Sequence, residues 1–424
     1  MRKLYSFSVF LYTLGVRIAA FWNPKARLWI SGRKNIFPLL ESAFMNQERK
    51  TVWMHCASLG EFEQGRPLLE AIRKEYPNYT ILLTFFSPSG FEIRKNYSGA
   101  DFVFYLPSDS PENAKKFIKI TSPFLAIFIK YEFWYHYLAT LKSNQIPTLL
   151  VSAIFRKGQP FFKSYGAFWR EMLRFYEKIF VQDNDSYELM ETVGLGQKSI
   201  VSGDTRFDRV ISVAENHTSL HEIEYFCQQN KVIVAGSTWL EDEEILDHYA
   251  NTNLQIKFII APHEIDEPHL HDLEKLFKHA VRYSTISSIC DENDRNKLMA
   301  EKNILIIDNI GMLSKLYKYA TVTYVGGGFG DAGIHNILEA AAYGKPVLFG
   351  PVNQKSREAQ DLQELGAAFT VESALELETL LNTLLKDDAK TASLGKIASD
   401  YVYHESGATR KIMDFIQEKR LLTN

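Results

Sequence analysis

After residue 50 the chain runs twice through one pattern, and that repetition restricts the fold more than any other feature. Apolar runs at 51–56, 80–86, 101–106, 125–129, 148–152 and 178–181 read as strands, with helical spacing between them, as at 61–76. A polar stretch at 209–229 reads as an interdomain link. A second series follows at 231–235, 257–261, 304–307, 321–325 and 346–349. Strand–helix alternation of this kind builds parallel sheets wound with helices. Two Rossmann-like doubly wound α/β domains are therefore expected, at 31–208 and 230–406. At 424 residues the chain is also too long for one ordinary core. A last helix, 407–424, ends the chain, and the pattern leaves open whether it returns to the first domain. In such sheets ligands bind beyond the carboxyl ends of the strands.

One such end stands out. The run at 321–325 feeds four glycines in five residues, Gly326, Gly327, Gly328 and Gly330, and then a helix expected at 336–343. Glycines allow close backbone approach to a ligand, and a helix start offers unpaired N–H groups and a partial positive charge. That combination suits a phosphate. Glu339 lies one turn past Asn336, so both side chains can address one ligand, the carboxylate suiting ribose hydroxyls. Gly328 to Gly333 also fits the dinucleotide pattern G-x-G-x-x-G. The next strand, however, runs into Gly350-Pro351 instead of an acid for the adenosine ribose, which argues against an oxidoreductase.

The net charge of −3 provides no global basic field, so nucleic acid is not an expected partner. Cys56, Cys227 and Cys290 are scattered without a C-x-x-C, which fits a reducing cytosolic face. Residues 1–40 depart from this balance, with seven Lys/Arg and no Asp or Glu. Within them 4–22 is apolar or small except for Arg17. Basic flanks and the bulky Phe21-Trp22 favour an uncleaved membrane anchor at 1–30 over a signal peptide, spanning or lying in the interface.

Several groups at strand ends carry possible chemistry, each beside a plainer reading. Glu61 opens the helix after the first strand, either as a first-turn acid complementing the dipole or as a general base. Glu132, among aromatics past 125–129, is either a rim group paired with Lys130 or part of a site. Arg206 either bridges Asp204 or Asp208 or faces a phosphate leaving group. Ser237 and Thr238 form another strand-to-helix turn, and the acids Glu241 to Glu244 behind them read as dipole compensation and solvated surface. Pro262 and His263 end a strand at the same rim. His263, His269 and His271 match no metal-ligand spacing. Ile310, Gly311 and Met312 form a loop able to offer backbone groups to a base. At 161–180 aromatics interleave with Arg170, Arg174 and Lys178, as an amphipathic helix on the core or a face for the bilayer.

Taken in order, the segments 55–61 (His-Cys-Ala-Ser-Leu-Gly-Glu), 130–134 (Lys-Tyr-Glu-Phe-Trp), 203–208 (Gly-Asp-Thr-Arg-Phe-Asp), 235–239 (Ala-Gly-Ser-Thr-Trp) and 326–339 resemble the 3-deoxy-D-manno-octulosonic acid (Kdo) transferases of lipopolysaccharide synthesis. The likeness spans nearly the whole chain, and the basic N-terminus and Gly350-Pro351 belong to it. It implies a GT-B fold, two Rossmann-like domains facing across a cleft, and an enzyme on the cytoplasmic face of the inner membrane. The implied reaction moves Kdo from CMP-Kdo to a lipid A precursor with inversion and with no metal or other cofactor. On that pattern Glu61 matches the general base, and Glu132 and Arg206 match groups that stabilise the transition state. CMP falls to Pro262, His263, Ile310, Gly311, Met312, Asn336, Ile337, Leu338 and Glu339, beside the turns at Ser237, Thr238, Gly327 and Gly328. The chain departs from the family at His263, where arginine is common, at Arg206, where lysine is usual, and at 152–154, where Ser-Ala-Ile replaces Asn-Ala-Arg. Histidine titrates near pH 6.5 and carries only part of a charge at neutrality. A different GT-B transferase, using a UDP- or GDP-sugar, and a non-catalytic nucleotide- or glycolipid-binding protein are the rival readings.

Overall fold

The computed structural model describes every residue except His217, Thr218, Ala332 and Asn424. Parts of the expected link, of the glycine-rich turn and of the last helix thus lie outside the described residues. The chain divides into two compact units, Met1–Arg209 with the segment from Ser406, and Val210–Glu405.

The first unit holds β1 (Thr51–Cys56), β2 (Thr80–Phe85), β3 (Phe102–Tyr105), β4 (Pro123–Ile129), β5 (Thr148–Ala153), β6 (Lys178–Val181) and β7 (Ser199–Val201). They form one parallel sheet in the order β3-β2-β1-β4-β5-β6-β7. Side chains alternate between its faces. Trp53, Leu82, Phe128, Leu150 and Ile179 join a core with Ile36, Leu40 and Phe117. Val52, Met54, Leu83, Ile127 and Phe180 join the opposite core. Both faces being covered, the strands read as unbroken apolar runs. The second core also takes Ile412, Met413 and Ile416 from the helix Ala408–Glu418. Asp208 fixes the start of that helix by accepting from the N–H groups of Gly407 (2.6 Å) and Thr409 (2.7 Å).

The second unit holds β8 (Val232–Thr238), β9 (Lys257–Pro262), β10 (Ala280–Arg282), β11 (Ile304–Ile306), β12 (Val322–Val325), β13 (Val347–Phe349) and β14 (Ala368–Thr370). These too are all parallel, in the order β10-β11-β9-β8-β12-β13-β14. The edge strands β10 and β14 were not expected. Unlike the equally short β11 and β13, they are not wholly apolar and end in Arg282 and Thr370. The stretch read as a link carries the end of the helix Thr205–Glu215 and the helix His221–Cys227. The helix expected at 336–343 is one turn, Leu338–Ala341, followed by a turn that closes at Gly344 (φ +67°).

The N-terminal helix Arg2–Ala19 lies on the first unit and contributes no buried residue. Among the described residues no helix is long and apolar enough to cross a membrane. The aromatic stretch resolves into the short turn Pro160–Phe162 and the helix Ala167–Phe175. Phe161, Phe168, Met172 and Tyr176 enter the core. Arg170 donates to the carbonyls of Phe161 (2.9 Å) and Lys163 (2.8 Å), so its charge closes a turn. For those side chains the core reading holds.

Candidate functional site

In each sheet the strand order reverses at one place, between β1 and β4 in the first and between β8 and β12 in the second. Helices on either side of such a point leave in opposite directions and open a crevice beyond the strand ends. Glu61 follows β1 and Glu132 follows β4. Ser237 and Thr238 end β8, and Gly326 to Gly328 follow β12. The two groups of candidates therefore stand at the switch points of their own sheets.

Backbone strain collects at the same ends. Lys130 after β4 (φ +70°), Ser152 in β5 (φ +54°) and Ser237 in β8 (φ +55°) are non-glycine residues in the left-handed region. Each such residue costs on the order of 1–3 kcal/mol and persists only where its surroundings hold it. Ser152 is held by its hydroxyl, 2.9 Å from that of Thr205.

Glu61 sits in the first turn of the helix Leu59–Glu75 and accepts a hydrogen bond from the Ser58 hydroxyl. It is partly exposed. The helix lies close on the sheet at Gly65, where a Cβ would come within 2.9 Å of Ile129 and 3.0 Å of Met54. That close approach fixes Glu61 relative to β1 and β4.

Glu132 is buried, with 2% of its surface exposed. Its carboxylate accepts from the Trp134 indole, and His55 Nε2 lies 3.1 Å away, off the axis of a good hydrogen bond. His55 Nδ1 is 2.8 Å from the Thr84 hydroxyl, which accepts from the Trp53 indole at 2.8 Å. Trp53, Thr84 and His55 thus form one buried chain of contacts that ends beside Glu132, while His55 Nε2 itself makes no well-aligned hydrogen bond. The Tyr176 hydroxyl donates to the Glu132 carbonyl. Lys130 does not pair with Glu132 in any of these contacts. Arg206 donates from its backbone N–H (2.9 Å) and from Nε (2.8 Å) to Asp204, the plainer of its two sequence readings. Asp204 is buried beside Gln64.

In the second unit the organising group is Asp242, in the first turn of the helix Leu240–Thr252. It accepts from the N–H groups of Gly327 (2.8 Å) and Trp239 (2.9 Å) and from the Tyr324 hydroxyl (2.7 Å). Burial pushes its carboxyl up, against those hydrogen bonds. Glu243 beside it accepts from Thr238 (2.8 Å) and lies 3.2 Å from His269 Nε2. Both acids are fully buried, so the reading of this run as mostly solvated surface holds for the exposed Glu241 and Glu244 and is corrected for these two. The signal that sequence reasoning missed was the hydroxyl of Thr238 and the glycine N–H groups, which need acceptors once buried.

The glycines also have an internal reason. A Cβ on Gly326 would meet the Ser237 carbonyl at 2.4 Å, and one on Gly328 the Cα of Gly350 at 2.5 Å. A Cβ on Gly327 (φ +90°) would meet the Gly333 carbonyl at 2.7 Å. Three of the four thus admit the protein's own backbone. At Gly330 the nearest atom is 3.9 Å away, so that position is open.

Around this turn three rings stack. Trp239 and His263 lie 4.5 Å apart, and His263 and His335 4.6 Å. The Trp239 indole donates to His335 Nε2 (3.2 Å). Burial, with the charge of His263 second, pulls His335 down to about 4, so it is a neutral acceptor at pH 7. Pro262 ends β9, and His263 donates its N–H to the Thr238 carbonyl (2.9 Å). Asn336 Nδ2 reaches Glu339 Oε1 at 3.3 Å, so those side chains share one place. Ile337 and Leu338 are buried in the core and can offer a ligand only backbone. Ile310 is 88% exposed, Gly311 is left-handed (φ +95°) and Met312 precedes the helix Leu313–Leu316. Among the described residues no three His, Cys, Asp or Glu side chains group as metal ligands do. His271 instead lies 4.0 Å from Glu274.

Residues 33–209 match the family model described as 3-deoxy-D-manno-octulosonic-acid transferase (kdotransferase). The 3-deoxy-D-manno-octulosonic acid transferase of Aquifex aeolicus is 28% identical over 366 residues, 82% of this chain and 91% of that protein. That of Haemophilus influenzae is 24% identical over 383 residues, 86% of each. Among solved structures, the UDP-GlcNAc 2-epimerase of Neisseria meningitidis aligns over 87% of this chain and all of its own, with a TM-score of 0.61 and 16% identity. MurG of Acinetobacter baumannii aligns over 87% and 99%, with a TM-score of 0.52 and 13% identity. At such identities the structural likeness speaks for the fold, an α/β architecture of the GT-B type.

Proposed function

We propose that this chain, which belongs to the family of 3-deoxy-D-manno-octulosonic acid (Kdo) transferases, transfers Kdo from CMP-Kdo to a lipid A precursor at the inner face of a membrane. The observation that supports this most is the pairing of Glu61 and Glu132 beyond neighbouring strands of the first sheet, inside the stretch that matches the family model.

The chemistry asked of the residues is modest. The donor carbon is a ketose carbon bearing a carboxylate, and its bond to the cytidylate breaks with oxocarbenium character. Glu61 takes the proton from the attacking sugar hydroxyl, which adds to the opposite face and inverts the centre. The departing phosphate carries away the bonding electron pair and is received at the turn of Ser237 and Thr238, where the start of the helix Leu240–Thr252 is electropositive, with Arg206 supplying a cation. Glu339 and Asn336 receive the ribose. His263, stacked between Trp239 and His335, presents one ring edge to the donor where an arginine is common in the family. Glu132, held by the Trp134 indole beside His55, lends its carboxyl group to the developing cation. A monophosphate held in this way leaves without a divalent ion.

The N-terminal helix is read as interfacial. Leu4, Phe7, Phe10, Ile18, Phe21 and Trp22 are all at least half exposed, amid basic residues and no acids. Such a helix lies in the headgroup region with its apolar side inward.

The test is donor selection. The full chain is incubated with a tetra-acylated lipid A precursor and isotopically labelled CMP-Kdo, UDP-GlcNAc or a GDP-sugar, and products are read by mass spectrometry. A product carrying Kdo only from CMP-Kdo is expected. Transfer only from a UDP- or GDP-sugar overturns the proposal.

A further inference from the structure

Beneath the N-terminal helix lies a cavity of about 460 Å³ that the reaction described above does not use. Its walls are almost wholly apolar: Leu4, Val9 and Tyr12 from the helix, Trp29 and Phe86 opposite, and Trp134 at the inner end. The rings pack into one surface. Trp134 lies 4.7 Å from Phe86, which lies 5.7 Å from Trp29. Trp134 is also the residue whose indole holds the Glu132 carboxylate, so the inner end of the cavity adjoins the candidate site.

A second cavity, of about 420 Å³, shares Thr13, Trp29 and Ser108 with the first. Arg17, Arg33 and Lys34 line it, and no acid does. Arg33 is fixed there, donating to the carbonyls of Phe86 (2.7 Å), Leu106 (2.8 Å) and Trp29 (3.0 Å). Apolar and cationic cavities thus lie side by side, the complement of an amphiphile with an acidic head.

The roof over both is the helix Arg2–Ala19, none of whose residues is buried. The polar contacts that tie it down lie in its first two turns, Arg2 to Glu171 (2.5 Å), Tyr5 to Asp109 (2.6 Å) and to the Tyr135 N–H (3.2 Å), and Ser6 to His136 (2.8 Å). Its outward side is apolar as well, with Phe7 55% and Phe10 59% exposed. An apolar roof exposed above and hollow below opens most readily where it meets a lipid surface.

We infer that the cavity lined by Val9, Trp29, Phe86 and Trp134 holds one fatty-acyl chain of the acceptor lipid while Arg17, Arg33 and Lys34 take its phosphate. This rests on the reading of the acceptor as a lipid A precursor and adds where that lipid is held. A volume near 460 Å³ falls in the range of about 300–1,000 Å³ of small-ligand pockets, enough for one chain and not for four. The remaining chains stay in the bilayer. The seated chain draws the sugar toward Trp134 and so toward Glu132.

The experiment is photo-crosslinking with the full chain on phosphatidylethanolamine–phosphatidylglycerol vesicles containing a tetra-acylated lipid A precursor with a diazirine in one acyl chain. Peptide mapping should find adducts at Val9, Thr13, Trp29, Phe86 or Trp134. The filling variants V9W and T13W sit on a helix with no buried residue, so the fold survives them. Each should suppress these adducts and raise the KM for the acylated acceptor about tenfold, the equivalent of losing about two buried methylenes. The KM for CMP-Kdo and for a de-acylated acceptor should not move. Adducts confined to other surfaces, or equal labelling by a diazirine phospholipid of the bilayer, would overturn the inference. Kdo transfer that proceeds normally in V9W and T13W would also overturn it while leaving the proposed function standing. Adducts at these residues without Kdo transfer would support the cavity and defeat the proposed function instead.

Discussion

Replacing Asp242 isolates what holds the second site together. Its carboxylate receives three donors, Gly327 N–H at 2.8 Å, Trp239 N–H at 2.9 Å and the Tyr324 hydroxyl at 2.7 Å. In D242A all three lose their acceptor in a buried place, at about 1–3 kcal/mol each if nothing replaces it. Two terms offset this sum. The Tyr324 hydroxyl can rotate, and the cost of burying a charge disappears, a cost visible in the raised carboxyl of Asp242. A net loss of about 3–4 kcal/mol remains. D242N keeps one oxygen for the two N–H groups, and its amide donates to a turned Tyr324 hydroxyl, so about 1 kcal/mol is expected. Hydrogen exchange of peptides covering 232–239 and 322–330 reads this locally. Exchange should quicken more than a hundredfold in D242A and about fivefold in D242N. CMP affinity, measured by calorimetry, should fall in the same order. If D242A exchanges and binds CMP like the parent, the glycine turn is held by something else and the reasoning fails.

Other predictions follow from single contacts. G328A drives a Cβ to 2.5 Å from the Gly350 Cα and should lower stability by about 3 kcal/mol in urea unfolding, whereas G330A, with 3.9 Å of room, should stay within about 0.5 kcal/mol. His335, pulled down to about 4, stays neutral in the fold while the unfolded chain takes up a proton near pH 6.5. Its contribution is therefore complete above pH 6.5 and lost as pH falls toward 4, by about 2 kcal/mol once partial solvent exposure is discounted. The pH dependence of urea midpoints should flatten in H335F by that amount. H55F removes the imidazole beside Glu132 and should cut turnover while leaving CMP affinity unchanged, as titration calorimetry would show.

Much of the first sheet was legible because its inner strands are buried on both faces, and such strands are continuous apolar runs. The ends of those strands were legible as candidates for the same reason, since Glu132 interrupts the apolar pattern after Leu125 to Ile129, though its burial beside His55 and Trp134 was not. What escaped detection depends on partners distant in sequence. Asp242 looks like one more acid in Glu241 to Glu244 until Gly327 and Tyr324 are brought against it. Gly326 and Gly328 read as room for a ligand, yet the backbone of Ser237 and Gly350 occupies that room. Strands β10 and β14 were missed because, unlike the equally short β11 and β13, they are not wholly apolar and end in Arg282 and Thr370. The aromatic run at 161–180 was ambiguous for another reason. Amphipathicity reveals that a face is apolar and leaves open whether protein or lipid covers it.

The central claim is that Glu61 removes the proton from the acceptor hydroxyl, and E61Q tests it with little change of shape. With labelled CMP-Kdo and a tetra-acylated lipid A precursor, turnover should drop by about 10²–10⁴-fold while CMP binds as before. Turnover at the parent rate with E61Q would contradict the account.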